Sequence, residues 1–165
     1  MVSMKNHLDV LRNDFNVEME RFSTHFKRTG LTPCGNDPML MLFTSGTTDA
    51  INRIVHLIKP TENTIVAVSD LDHHSARVPW EMSGAKIDVC PLDSMFNIDV
   101  NGIPYADVLI VTAMSNVLGI AQKVPEIVRI ARAKNPNVVV VVDAAQYVVH
   151  APIDAQEWDA DFIVW

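Results

Sequence analysis

Apolar and polar positions recur along this chain at two different periods. Over residues 5–27, Leu8, Leu11, Phe15, Met19, Phe22 and Phe26 follow one another at spacings of three and four, which places them on one face of an amphipathic helix. RTGLTPCGND (residues 28–37) breaks that pattern with glycine and proline. Short apolar runs follow: MLMLF (39–43), TIVAV (64–68), KIDVC (86–90), DVLIV (107–111), VVVVV (138–142) and DFIVW (161–165). Helical stretches fall between several of them, among them DAINRIVHLIK (49–59) and PEIVRIARAK (125–134), the second opening on a proline suited to a first turn. Strands that are apolar throughout are covered on both faces, so their alternation with helices predicts an α/β fold: a mostly parallel sheet of about six strands with helices on both faces. SMFNIDVNGIPY (94–105) is expected to be a surface connection, leaving residues 1–165 as a single domain with an amphipathic helix over 1–28. DFIVW has the composition of a buried strand with no turn or helix after it, the expectation being an incomplete domain.

Composition narrows the function classes. With 165 residues and an apolar fraction of 48%, the chain can bury a core. A net charge of −7 with no clustering of lysine and arginine argues against a nucleic-acid partner. No apolar run approaches the roughly 20 residues that span a bilayer, and MVSMKNHLDV has no apolar leader core. A cytoplasmic chain with a small-molecule partner is expected, with no membrane contact. Cys34 and Cys90 stand far apart without a CxxC spacing, so neither a disulfide nor a zinc site is signalled.

Ligands of open α/β sheets sit beyond the carboxyl ends of the strands, and four runs here end in polar groups: TSGTTDAIN, SDLDHHSARVPW, TAMSNVLG and DAAQ. In SGTT the glycine would let backbone approach a ligand, and the helix start offers free N–H groups to a phosphate. A plain helix cap reads the same letters. His73 and His74 are adjacent and point apart on any regular element, which disfavours a metal; one could cover a planar ligand or cap the next helix. Trp80 reads as core or interface. Asp143 ends a run of five valines, and a buried carboxylate needs a cation. Arg53 or Arg77 would supply it structurally; a ligand's pyridinium would supply it functionally. Phosphate turn, ring-covering histidine and pyridinium partner together describe pyridoxal 5'-phosphate.

TSGTTDAIN, SDLDHHSARVPW, SNVLG and DAAQYVVHAPIDAQEWDADFIVW, in this order from about residue 43 to residue 165, resemble the class V aminotransferase fold, part of the large domain of fold-type I pyridoxal-phosphate enzymes. They are most similar to the cysteine desulfurase and selenocysteine lyase branch. The resemblance implies that Gly46, Thr47 and Thr48 bind the phosphate and that His73 stacks on the ring. It further implies that Asn116 meets the substrate carboxylate or cofactor edge, that Asp143 holds the ring nitrogen, and that Gln146 meets the ring hydroxyl; His73 and Asp143 would be the catalytic pair. C–S cleavage of L-cysteine to alanine and sulfur, a sulfur-acceptor protein and a homodimer are implied for the whole enzyme. Transaminase, kynureninase-like or epimerase-like chemistry is the alternative within the family, and a non-catalytic partner module the alternative outside it. Departures are Ala144 where the family carries the glycine of DGAQ, Ser45 in place of an arginine, and no Ser-x-His-Lys turn after DFIVW. The expectation is a large domain ending before the lysine that anchors the cofactor and without the small domain that carries the reactive cysteine. Lys59, Lys86, Lys123 and Lys134 all fall away from sheet-end turns.

Overall fold

The structure, a computed structural model, describes residues 42–165. The helix expected over 5–27, Cys34 and most of the run 39–43 lie outside the described residues. The sheet and its helices form one compact unit, Phe43–Ala151 with Ala155–Trp165. Its elements are α1 (Thr47–Ile58), β1 (Ile65–Ser69), α2 (His74–Met82), β2 (Lys86–Cys90), β3 (Val108–Thr112), α3 (Val124–Lys134), β4 (Val139–Asp143), a 3-10 turn (Tyr147–Val149), α4 (Ala155–Trp158) and β5 (Phe162–Val164). Every expected strand within the described residues is present, shifted by at most one residue at its start.

All strand pairs are parallel, in the order β2-β1-β3-β4-β5. The chain moves one way from β1 to β2 and the other way from β3 to β4 and β5. Right-handed crossovers then place α2 on one face of the sheet and α3 and α4 on the other. The core agrees: Val66, Val68, Val108, Ile110, Val141 and Val164 form one cluster with Ile51 and Ile54 of α1 and Ala76 and Trp80 of α2. Alternation sends Ala67, Leu109, Val111, Val140 and Val142, all buried, to the face that α3 covers with Val124, Ile127, Val128 and Ala131. Five valines are tolerated because β4 has neighbours on both edges and helices on both faces.

Helix ends follow local chemistry. α1 stops at Lys59, whose φ of 53° is left-handed, immediately before Pro60. α2 carries Pro79 inside it and closes when Ser83 donates through Oγ to the Trp80 carbonyl. The connection 94–105 is more embedded than expected: Ile98 and Ile103 are buried, and Gln122 accepts from the Ile98 amide and donates to the Phe96 carbonyl.

Candidate functional site

The strand order reverses between β1 and β3, and a crevice opens beyond the carboxyl ends of the strands at such a point. A cavity of about 280 Å³ lies there, lined by residues from all four polar sheet-end segments: Thr47 and Thr48; His73 and Ser75; Thr112, Met114 and Asn116; Asp143, Ala145 and Gln146. Six of the seven residues singled out from the sequence share this wall. Gly46 is not part of it but adjoins it, with φ at 126°, a region where glycine carries no Cβ strain.

The α1 turn has the chemistry of an anion site. No side chain caps the helix, and its first backbone bond runs from the Ala50 amide to the Gly46 carbonyl, leaving the first-turn amides without intrahelical partners. The simple cap reading of Ser45 to Thr48 therefore does not hold. Thr44 Oγ1 instead folds the approach loop, donating to the Gly46 carbonyl and accepting from its amide. Asp49 accepts from the Ser45 amide and is neutralised by Arg53 at 3.0 Å; these bonds hold its carboxyl below the usual range.

His73 is both a cap and a cavity wall. Its Nδ1 accepts from the Ser75 amide at 3.2 Å at the start of α2 and lies 2.8 Å from Ser75 Oγ, which fixes the ring on its helix. His74 does not line the cavity.

Asp143 is 6% exposed. Among the described residues its carboxylate accepts one bond, from the Ala145 amide at 3.0 Å. Burial pushes its pKa up, opposed by that bond and by the nearby His73. Arg53 pairs with Asp49, and Arg77 with Glu81 and Asp70; among the described residues no lysine or arginine pairs with Asp143. Both cations that would have made Asp143 structural are engaged elsewhere. A pyridinium N–H fits this end of the cavity and a phosphate the α1 end. Among the described residues no lysine lines it: Lys59 caps α1, Lys86 starts β2, Lys123 precedes α3, and Lys134 ends α3 with its Nζ on the Ile103 carbonyl.

Asn116 sits on a loop organised by buried Ser115, whose Oγ accepts from the Val117 and Leu118 amides, with Gly119 closing the turn at φ 67°. Gln146 precedes the 3-10 turn. Ala144, where the family carries glycine, is fully buried and has no positive φ, so its Cβ imposes no strain. Cys90 is a buried free thiol, pushed up to about 12 by burial and the Asp72 and Asp88 carboxylates. That makes it a poor nucleophile. Among the described residues no group of three histidine, cysteine or acidic side chains could hold a metal. Sequence inspection missed Ser75, Thr112, Met114 and Ala145 as cavity residues.

A doubly wound parallel sheet with a cavity at its switch point, bordered by an uncapped helix start and a buried carboxylate, defines an α/β protein with a candidate small-molecule site. Residues 35–165 match the family Aminotransferase class-V, and the chain belongs to that family. A cysteine desulfurase of Pectobacterium atrosepticum is 36% identical over 139 residues, covering 76% of this chain and 33% of that protein. A probable cysteine desulfurase of Haemophilus influenzae is 35% identical over 140 residues, 78% of this chain and 32% of its own length. The chain thus spans about a third of the curated relatives it matches. Among solved structures, the S-sulfonic acid form of a cysteine desulfurase from Escherichia coli superposes with a TM-score of 0.75 at 27% identity, covering 99% of this chain and 42% of that one. The apo cysteine desulfurase of Thermococcus onnurineus shares the fold at a TM-score of 0.71 and 23% identity, over 91% of this chain and 39% of that one.

Proposed function

We propose that this chain forms the cofactor-holding part of a pyridoxal-phosphate enzyme of the cysteine desulfurase branch, acting on the C–S bond of L-cysteine to give alanine and sulfur. The observation that carries the proposal is Asp143: a buried carboxylate at a strand end, facing a cavity, with no arginine or lysine partner among the described residues. Pyridoxal phosphate, when bound, supplies an electron sink for the substrate's α-carbon. The first-turn amides of α1, with the Thr47 and Thr48 hydroxyls, hold the phosphate. His73 covers the ring while its Nδ1 stays on α2. Asp143 keeps the proton on the ring nitrogen, because an ionised carboxylate in a buried setting is stabilised by a cationic partner. Gln146 donates to the ring hydroxyl, and Asn116 meets the substrate carboxylate or the cofactor edge.

With no lysine on the cavity wall among the described residues, reversible binding of the cofactor, without covalent attachment, is expected of this chain by itself. A homodimer, a sulfur-acceptor protein and a cytoplasmic setting belong to the same proposal; they are supported by the family, and among the described residues no helix is long and apolar enough to cross a membrane. The test is a titration of the purified chain with pyridoxal phosphate, followed by borohydride reduction and peptide mapping. Saturable binding with no modified lysine is expected. A single stoichiometrically labelled lysine, or no binding at all, contradicts the proposal.

A further inference from the structure

The ladder between β1 and β3 ends early. Its partners are Val66↔Val108 and Ala67↔Leu109, whereas β1 stays paired to β2 as far as Ser69↔Cys90 and β3 to β4 as far as Thr112↔Asp143. At the opposite end the same two strands are held by Asp107, whose amide donates to the Ile65 carbonyl and whose carboxylate accepts from the Ile65 amide at 2.9 Å. The strands are therefore fixed at the bottom and parted at the top, where the cavity lies.

The Asp72 carboxylate stands in the gap. One oxygen accepts from the Ser69 amide at 2.6 Å. The other accepts from the Thr112 amide at 3.1 Å and from Thr112 Oγ1 at 2.7 Å. These two amides belong to the last residues of β1 and β3, where the ladder, had it continued in register, would set Ser69 opposite Val111, the neighbour of Thr112. A carboxylate has lone pairs enough for all three donors, and an aspartate reaching across 40 residues of sequence supplies what the parted backbones no longer give each other. Burial of the carboxyl pushes its pKa up to about 6 against those bonds and the Ser69 side chain, so the wedge is held at a cost.

Its neighbours are the cofactor-facing groups. His73 follows Asp72 directly, and Thr112 lines the cavity and pairs in register with Asp143. We infer that Asp72 is the positioning residue of this site, a carboxylate wedge that holds the ends of β1 and β3 apart and fixes His73 and Thr112 against Asp143. Because Thr112 gives its only hydroxyl hydrogen to Asp72, it presents lone pairs alone to the cavity. At Thr112 the wall therefore offers an acceptor, which suits a ring N–H.

The wedge itself concerns this chain's own backbone; its bearing on ligand binding rests on the function proposed above, and the test separates the two. Amide hydrogen exchange is followed without cofactor in wild type, Asp72→Asn and Thr112→Val. The Thr112→Val arm deletes only the hydroxyl link and decides the matter if Asp72→Asn does not fold. Asp72→Asn turns an NH2 group toward a backbone donor, and exchange at Ser69 and Thr112 should quicken at least tenfold while β4 amides keep their rates; Thr112→Val should quicken the amides at 69 and 112 in the same local manner. Unchanged rates there, or equal acceleration throughout the sheet, overturn the wedge. In the second arm, pyridoxal phosphate affinity should fall about tenfold in each variant and no further in the double variant, since both break one linkage. Multiplicative losses overturn the coupling through Thr112. A wild-type chain that binds no cofactor contradicts the proposed function and leaves exchange to decide the wedge.

Discussion

Removing the His73 side chain takes away a helix cap and a cavity wall together, and the two roles separate by choice of substitution. His73→Ala loses the bond from the Ser75 amide and should lower stability by about 1 kcal/mol. His73→Asn restores a capping acceptor, so its stability should stay near wild type while pyridoxal phosphate affinity still falls several-fold. The same exchanges at His74, which the cavity does not touch, should leave affinity unchanged; equal losses at both positions would contradict the placement of the ring against His73. Dissociation constants from absorbance titration, set beside urea midpoints, check both statements. At this scale the sequence was informative where chemistry was conspicuous: a carboxylate after five valines, a glycine between hydroxyls, paired histidines. It was silent where geometry decides. Thr112 opens the polar segment TAMSNVLG after DVLIV, and nothing local connects it with Asp72. A trace of Asp72 was present in SDLD, where Ser69 and Asp72 stand at the spacing of a side-chain-to-backbone turn, but its reach to β3 was not.

Among the elements, α2 does two jobs: its start carries His73 and its end buries Trp80 completely in the cluster under α1 and the sheet. Trp80→Ala should cost about 3–5 kcal/mol, seen as a lowered urea midpoint with an unchanged slope, whereas a loss under about 1 kcal/mol would place the ring outside the core. The strands were legible because each is a compact apolar run between polar turns, and β4 most of all, since five valines fit only a strand covered on both faces. Their order was not legible. Nothing in TIVAV, KIDVC or DVLIV says that β1 lies between β2 and β3; the order is a property of the folded sheet, and it is the reversal there that sets the cavity between His73 and Asp143. The α1 start was ambiguous for a physical reason, because a helix cap and an anion site use the same residues, and only the absence of a side-chain cap bond separates them.

For the molecule as a whole, two carboxyls pushed up by desolvation, Asp143 buried and Asp72 half-buried, give stability an acid dependence whose sign follows from the direction of those shifts. Asp72 and Asp143 both titrate above their ordinary value, Asp72 at about 6. The folded chain therefore keeps protons that the unfolded chain releases, so these groups favour folding below about pH 4 and withdraw that contribution as pH rises toward about 6. Asp49 and Asp93, held below the ordinary value by hydrogen bonds, act oppositely at lower pH. As pH rises above about 4, the Asp143→Asn variant should gain stability relative to wild type; a constant difference would show that Asp143 titrates normally. Cofactor binding reverses the picture for Asp143, since a ring cation makes its ionised form the favoured one. The most direct measurement is the 15N chemical shift of the ring nitrogen in labelled pyridoxal phosphate bound to this chain, taken at a pH where the free cofactor has lost that proton. A protonated pyridinium in wild type and an unprotonated nitrogen in Asp143→Asn are expected. An unprotonated ring nitrogen in the wild-type complex, or a protonated one that persists without the carboxylate, would contradict the assignment of Asp143 and with it the function proposed for the cavity.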